Sequence, residues 1–302
     1  MFGRAFEPFR RDSEGHTNKG MAPLRTPILI LIVVSCFVGC AKTPQGTGAR
    51  AISRTAKVSY DIGLDELSRG NYTEAIHHFQ TVAKSPRYVK WSSLAKLRLA
   101  DCLFFQQHFG EAAQQYLTFI NQFRGDHNIP YAQYMIGVAY FEQIPSDLFF
   151  LPPPYERDRA ALKKARSELT IFVETFPRSK YLEEGRKKLA QVIDLQFSYN
   201  DYVARYYESR EQPGGTIVRL QHALEAFPAR ANTADTYLRL GKAYVATDRV
   251  GMAYVTYQTF LNKFPEDVHV ADVRSWLNDL QSILEERGAE TPVPSPETTP
   301  DS

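Results

Sequence analysis

At 302 residues the chain can form one large domain or two ordinary ones. Its 43% apolar and 23% charged residues exclude disorder as the dominant state. Residues 1–39 carry five Lys/Arg and three Asp/Glu, leaving 31 of each in the remainder, so no net positive field favours nucleic acid.

The N-terminus reads as an address. Ile28–Val34 is wholly apolar, follows Arg25, and is too short for a comfortable membrane span. A basic stretch, a short apolar stretch and a small residue describe a secretory signal over residues 1–39. Met21-Ala22-Pro23-Leu24-Arg25 is itself a complete basic region, which leaves Met21 as a second start. Phe37-Val38-Gly39-Cys40 resembles the lipobox of bacterial lipoproteins, which implies a diacylglycerol thioether on Cys40 and an acylated new N-terminus. Cys36, after Val33-Val34-Ser35, is the alternative, but cleavage there leaves a shorter apolar region. A membrane-anchored or plainly secreted chain is the other reading. Ala41 is not the aspartate that retains many lipoproteins at an inner membrane, so the resemblance implies the periplasmic face of an outer membrane.

Residues 40–55 form the lipidated cysteine and a flexible tether. Residues 288–302, with four prolines and no aromatic residue, read as a disordered tail. The structured part is then 56–287.

Within it one spacing recurs. Gly241, Tyr244, Ala253, Tyr257, Phe260 and Pro265 match positions of the 34-residue tetratricopeptide (TPR) pattern. Small residues let helices A and B of a repeat approach, aromatics fill the gaps, and proline ends helix B. Gly63, Ala75, Phe79 and Val82 keep the frame, with Pro86 one residue early. Ala100, Ala112, Tyr116 and Phe119 repeat it, with Arg124 at the proline position. Gly137 and Tyr140 open a third copy, whose Ala165, Leu169, Phe172 and Pro177 follow an insertion of roughly sixteen residues. A fourth, degenerate copy has a long helix from about Tyr181 to Ser209, then Ile217, Gln221, Leu224 and Pro228. Five repeats predict an all-α solenoid of ten helices with little or no strand; an unrelated helical bundle is the alternative.

Chemistry is hard to find. No Gly-rich phosphate loop, Gly-x-Ser-x-Gly elbow or His-Glu-x-x-His is present. His77 and His78 diverge on a helix, and His108, His127, His222 and His269 lack partners at ligand spacing. Cys102 lies in an apolar helix and reads as a buried, inert thiol. Neither catalysis, a metal nor a cofactor is expected. Two segments exceed what packing needs. Leu148–Tyr155 is apolar inside the long insertion, either self-packed or a docking surface. Pro213-Gly214-Gly215 reads as a tight connection between helices, flanked by Arg210 and Arg219, which could pair with carboxylates.

The motifs carry a family resemblance. Tyr60, Leu67, Gly70-Asn71-Tyr72, Ala75-Ile76 and Phe79 come first. Asn128–Gly137, Arg157-Asp158 and Phe176–Tyr181 follow, then Tyr206–Arg210 and Arg219. Over about 40–285 the chain resembles the BamD (ComL) family, TPR lipoproteins of the outer-membrane β-barrel assembly (BAM) machinery. Gly214-Gly215, Arg124 and the longer 266–302 stretch depart from it. The resemblance implies a scaffold anchored by lipid. Its C-terminal repeats would hold a POTRA domain of a BamA-like protein, and its N-terminal repeats would take the aromatic-ended strand of unfolded outer-membrane β-barrel proteins. Other BAM lipoproteins are further implied partners. It gives Arg219, with Arg210, to the BamA-like partner. Tyr60, Tyr72 and Tyr88 are expected to line the substrate groove, with helix-core packing as their alternative. Another periplasmic TPR lipoprotein, such as a pilus-assembly pilotin or a cell-division coordinator, is the competing function.

Overall fold

The apolar spacing above is helical, and among the described residues every regular element is a helix. The computed structural model describes residues 47–84, 89–144 and 160–288. The signal segment, Cys36, Cys40, Tyr88, Leu148–Tyr155 and Arg157-Asp158 lie outside them, as does the tail from 289. The helices are α1 (Thr47–Ser68), α2 (Tyr72–Ala83), α3 (Val89–Phe105), α4 (Phe109–Gln122), α5 (Ile129–Glu142), α6 (Ala160–Thr175), α7 (Leu182–Ser209), α8 (Pro213–Ala226), α9 (Pro228–Ala231), α10 (Ala234–Ala246), α11 (Val250–Lys263) and α12 (Val270–Glu286). They form two compact units that divide between Gln106 and Gln107.

The first unit holds α1, α2 and α3. Its core is Tyr60, Ala75, Phe79, Val82, Ala95 and Cys102. The α1–α2 turn needs Gly70, whose φ is +81°. A Cβ on Gly63 would stand 2.8 Å from the Phe79 ring, so the first and third members of this repeat's frame touch. α1 begins at Thr47, inside the segment expected as tether; Ala49 and Ala51 are strong helix formers that extend it backwards.

The second unit runs from α4 to α12. Each helix packs on its neighbours in sequence, except that α9 folds back on α8 and α7, and α10 packs on α8 instead of α9. The frame repeats its contacts: a Cβ on Gly137 would lie 2.7 Å from Leu169, and one on Gly241 2.3 Å from Tyr257. Proline at N1 starts both α8 and α9. Pro213-Gly214-Gly215 is therefore the first turn of α8, not a connection; the turn before it is closed by Glu211 at φ 54°.

Two expectations change here. The described residues hold twelve helices rather than ten, because Pro228 ends α8 and opens the one-turn α9, and α12 closes the array. α12 turns Val273, Leu280 and Leu284 into the α10–α12 core. In the fourth repeat Ile217 is buried as expected, but the frame runs through Ala204, Thr216, Leu220 and Ala223, one residue before the expected Ile217, Gln221 and Leu224. Gln221 is exposed. Thr216 stands where other copies have alanine, which disguised the frame; its buried hydroxyl has no hydrogen-bond partner.

Repeats four and five are also tied by charge. Arg239 of α10 meets Asp201 at 2.6 Å and Glu208 at 2.8 Å on α7, and Asp235 of its own helix at 3.1 Å. Burial would raise the Asp201 carboxyl, but hydrogen bonds and charge from Arg239 and Arg205 outweigh it and hold the group below its ordinary value.

Candidate functional site

The expected tyrosines occupy different settings. Tyr60 is 6% exposed and packs 5.6 Å from Phe79 and 5.4 Å from Trp91. Arg98 donates Nε–H to its hydroxyl at 3.3 Å. No ring face is left for a ligand, so Tyr60 takes the core alternative. Tyr72, half-buried at the start of α2, stacks on Phe105 with centroids 5.9 Å apart and planes 9° apart. Among the described residues of this unit the exposed large apolar side chains are Val58 and Ile62, one turn apart on one face of α1.

The two expected arginines are also placed apart. Arg210 follows the end of α7, exposed, with its guanidinium 5.5 Å from the Tyr206 ring. Arg219, in mid-α8, lines a cavity of about 570 Å³ bounded by α6, α7 and α8. Arg210 does not line it.

Each wall of this cavity is one helix face, with i, i+3, i+7 spacing on α6 and α8 and i, i+3, i+4 spacing on α7. Lys163, Arg166 and Thr170 come from α6, with Leu162 and Ile171 beside them. Gln196, Tyr199 and Asn200 come from α7, and Arg219, His222 and Ala226 from α8, with Phe227 just beyond. Arg166 is a strut: it donates Nη1–H to Gln196 at 2.8 Å and Nη2–H to the Ala226 carbonyl at 3.3 Å, over the Phe227 ring. Lys163 and Arg219, by contrast, have no ion pair or hydrogen bond among the described residues. No carboxylate lines the cavity. The result is a partly apolar hollow with unspent positive charge at Arg219 and Lys163. It suits a segment that brings carboxylates together with apolar groups.

A family model described as YfiO, outer membrane lipoprotein, matches residues 53–250. The chain belongs to this family. A tetratricopeptide repeat model matches 235–267, which covers α10 and α11. Relatives named outer membrane protein assembly factor BamD agree over most of the chain. The one from Caulobacter vibrioides is 26% identical over 83% of this chain and 80% of its own length. Those from Haemophilus influenzae and Neisseria meningitidis serogroup B are 23% and 24% identical, over 77% and 78% of this chain and 87% and 91% of theirs. The family expected from the motifs, and the TPR fold with it, are thereby confirmed.

Sequence reasoning reached Arg219 through its place beside Pro213-Gly214-Gly215 and through the resemblance, and passed over Lys163, Tyr199, His222 and Phe227. His222 was set aside for lacking metal-ligand spacing, yet its i, i+3 relation to Arg219 was the available signal. Among the described residues no group of three His, Cys, Asp or Glu side chains could hold a metal, and no helix is long and apolar enough to cross a membrane.

Proposed function

We propose that the chain is a non-catalytic scaffold of outer-membrane β-barrel assembly, anchored at the periplasmic face of the outer membrane by lipid on Cys40. Its second unit holds a BamA-like POTRA protein, and its first unit receives unfolded β-barrel substrates. Other BAM lipoproteins complete the assembly. Membership of the outer membrane lipoprotein family and relatives named as assembly factors support this reading. The observation that carries it is Arg219, a cation with no bonded partner among the described residues, in a cavity without carboxylates. A folded domain gains little from such a charge, whereas an interface gains a charge-assisted anchor. Arg210 at the end of α7 adds a second, exposed cation. Among the described residues of the first unit, Tyr72 is the expected tyrosine that still offers surface.

The test is purification of the membrane-anchored protein with mild detergent. Co-purification of a large POTRA–barrel protein, lost with Arg219→Glu, is the expected result. Recovery of pilus or division proteins instead would assign the chain to another class of periplasmic TPR lipoprotein. Mass spectrometry should find acyl chains on Cys40, and acyl chains on Cys36 would move the anchor.

A further inference from the structure

The cavity on α6–α8 has a candidate occupant within the same chain. Residues 289–302 contain Glu290, Glu297 and Asp301, four prolines (Pro292, Pro294, Pro296 and Pro300), and no lysine or arginine. We propose that this segment docks in the Arg219 cavity and occupies it until a partner displaces it. The displacement clause rests on the partner reading above; the docking does not.

Three observations carry the proposal. The first is chemical fit. Proline-rich sequence favours an extended polyproline II form, and grooves walled by aromatic rings bind it. Tyr199 and His222 supply such rings, over a floor of Phe227 and Arg166. Glu297 and Asp301, on either side of Pro300, lie far enough along the segment to meet Lys163 and Arg219.

The second is charge. The cavity has unpaired cations and no carboxylate, whereas the segment has carboxylates and no cation. Their complementarity steers the segment there.

The third is reach. Arg287, one residue before the last described position, is clamped to Asp248 by two hydrogen bonds of 2.7 and 3.1 Å. Asp248 follows the end of α10, one helical turn beyond Tyr244. The Tyr244 hydroxyl accepts a 2.8 Å hydrogen bond from Gln221 of α8, the neighbour of His222. Each link is one side chain or one turn, so the path from Gly288 to the cavity is on the order of 25 Å. Fourteen residues in polyproline II form extend about 43 Å. The Arg287–Asp248 clamp thus launches the segment from the side of the array that adjoins α8.

The experiment uses the full chain with photo-reactive p-benzoyl-phenylalanine at Ile171, a cavity residue that is 43% exposed. After irradiation, trypsin cuts behind Arg287 and nowhere in the segment, which is released as one peptide from Gly288. The expected result is a cross-link between the α6 peptide and that peptide, with a yield unchanged on dilution. Glu297→Gln and Asp301→Asn together should lower the yield by roughly four- to ninefold, since each of the two partly exposed ion pairs contributes a factor of about two to three. Those changes lie outside helices α1–α12 and leave the fold intact, which circular dichroism verifies. Cross-links confined to α6–α8 would overturn the proposal. So would a yield that falls with dilution, or one indifferent to loss of the two acids. No partner protein is present, so failure here leaves the scaffold reading standing, and failure of that reading leaves the docking result intact.

Discussion

Gly241 and Tyr257 stand so close that a β-carbon on the glycine would fall 2.3 Å from the tyrosine ring. The ring has nowhere simple to go: it is 2% exposed and lies 5.4 Å from Trp276. Glycine in a helix interior normally costs about 1 kcal/mol relative to alanine. Here packing reverses the sign. Gly241→Ala is expected to destabilise the second unit by about 1–3 kcal/mol through overpacking. A β-carbon on Gly214, in the first turn of α8, would meet nothing within 4 Å, so Gly214→Ala should be neutral or stabilising by up to about 0.5 kcal/mol. Ala253→Trp, at a position with no exposure, should cost at least as much as Gly241→Ala. Urea melts of the three variants check the order. Tolerance of Gly241→Ala and Ala253→Trp alike would contradict the packing described here.

Cys102 offers a chemical readout of the first unit. Burial, reinforced by the charge of Asp101, pushes its thiol up to about 12. The thiolate is the reactive species, so at pH 8 only about one thiol in ten thousand is ionised, even before access is considered. Iodoacetamide should leave the Cys102 peptide unmodified in the folded protein and label it fully in denaturant. Rapid labelling under native conditions would mean that α3 opens readily.

The Arg239 cluster makes the second unit sensitive to acid. The folded Asp201 carboxyl titrates below its unfolded value, so its contribution is complete above about pH 4 and is lost as pH falls through the lower folded value. Asp201→Asn should therefore reduce stability near neutrality and flatten the acid limb of a stability–pH curve below about pH 4. Arg239→Met leaves Asp201, Glu208 and Asp235 facing one another. With Arg239 only 11% exposed, we expect a loss of about 2–3 kcal/mol, less than for a fully buried pair because Asp235 is 58% exposed. Chemical denaturation across pH 3–8 measures both effects; parallel curves for wild type and Asp201→Asn would remove Asp201 from the linkage.

The repeat frame was legible because packing imposes it on residue size: Gly63, Gly137 and Gly241 each face the large side chain at the matching position of helix B. It slipped by one residue in the fourth copy, where Thr216 fills an alanine position and the adjacent Ile217 is also buried, so hydrophobicity pointed to the wrong residue. Tyr60 shows a different limit. An aromatic residue at helical spacing fits a groove or a core equally well, and only the neighbouring Phe79 and Trp91 decide between them. The cavity was invisible in sequence because its walls come from three helices whose faces are each unremarkable. The division into two units was equally hidden, since the repeat pattern runs through Gln106 and Gln107 without a break.

The division of labour between the units can be tested with one variant in each. Arg219 lines the α6–α8 cavity of the second unit and has no bonded partner among the described residues, so Arg219→Glu breaks no hydrogen bond or ion pair between the helices. It should weaken a BamA-like POTRA partner by about 2–5 kcal/mol if that partner buries and pairs the arginine, and by a small, strongly salt-dependent amount if the contact stays at a rim. Tyr72→Ala removes a half-exposed ring from the first unit, and its cost to folding is limited to the stack on Phe105. It should mainly reduce binding of an aromatic-ended β-barrel peptide. Tyr60→Ala is the control: it opens a cavity among Phe79 and Trp91, so it should lower stability by about 3–5 kcal/mol as buried aromatic truncations do. Each variant is measured against both ligands at two salt concentrations, with helicity recorded. Selective loss of the POTRA partner in Arg219→Glu and of the peptide in Tyr72→Ala is the expected pattern. Equal loss of both ligands in either variant, with helicity retained, would mean a single shared site and would sink the division.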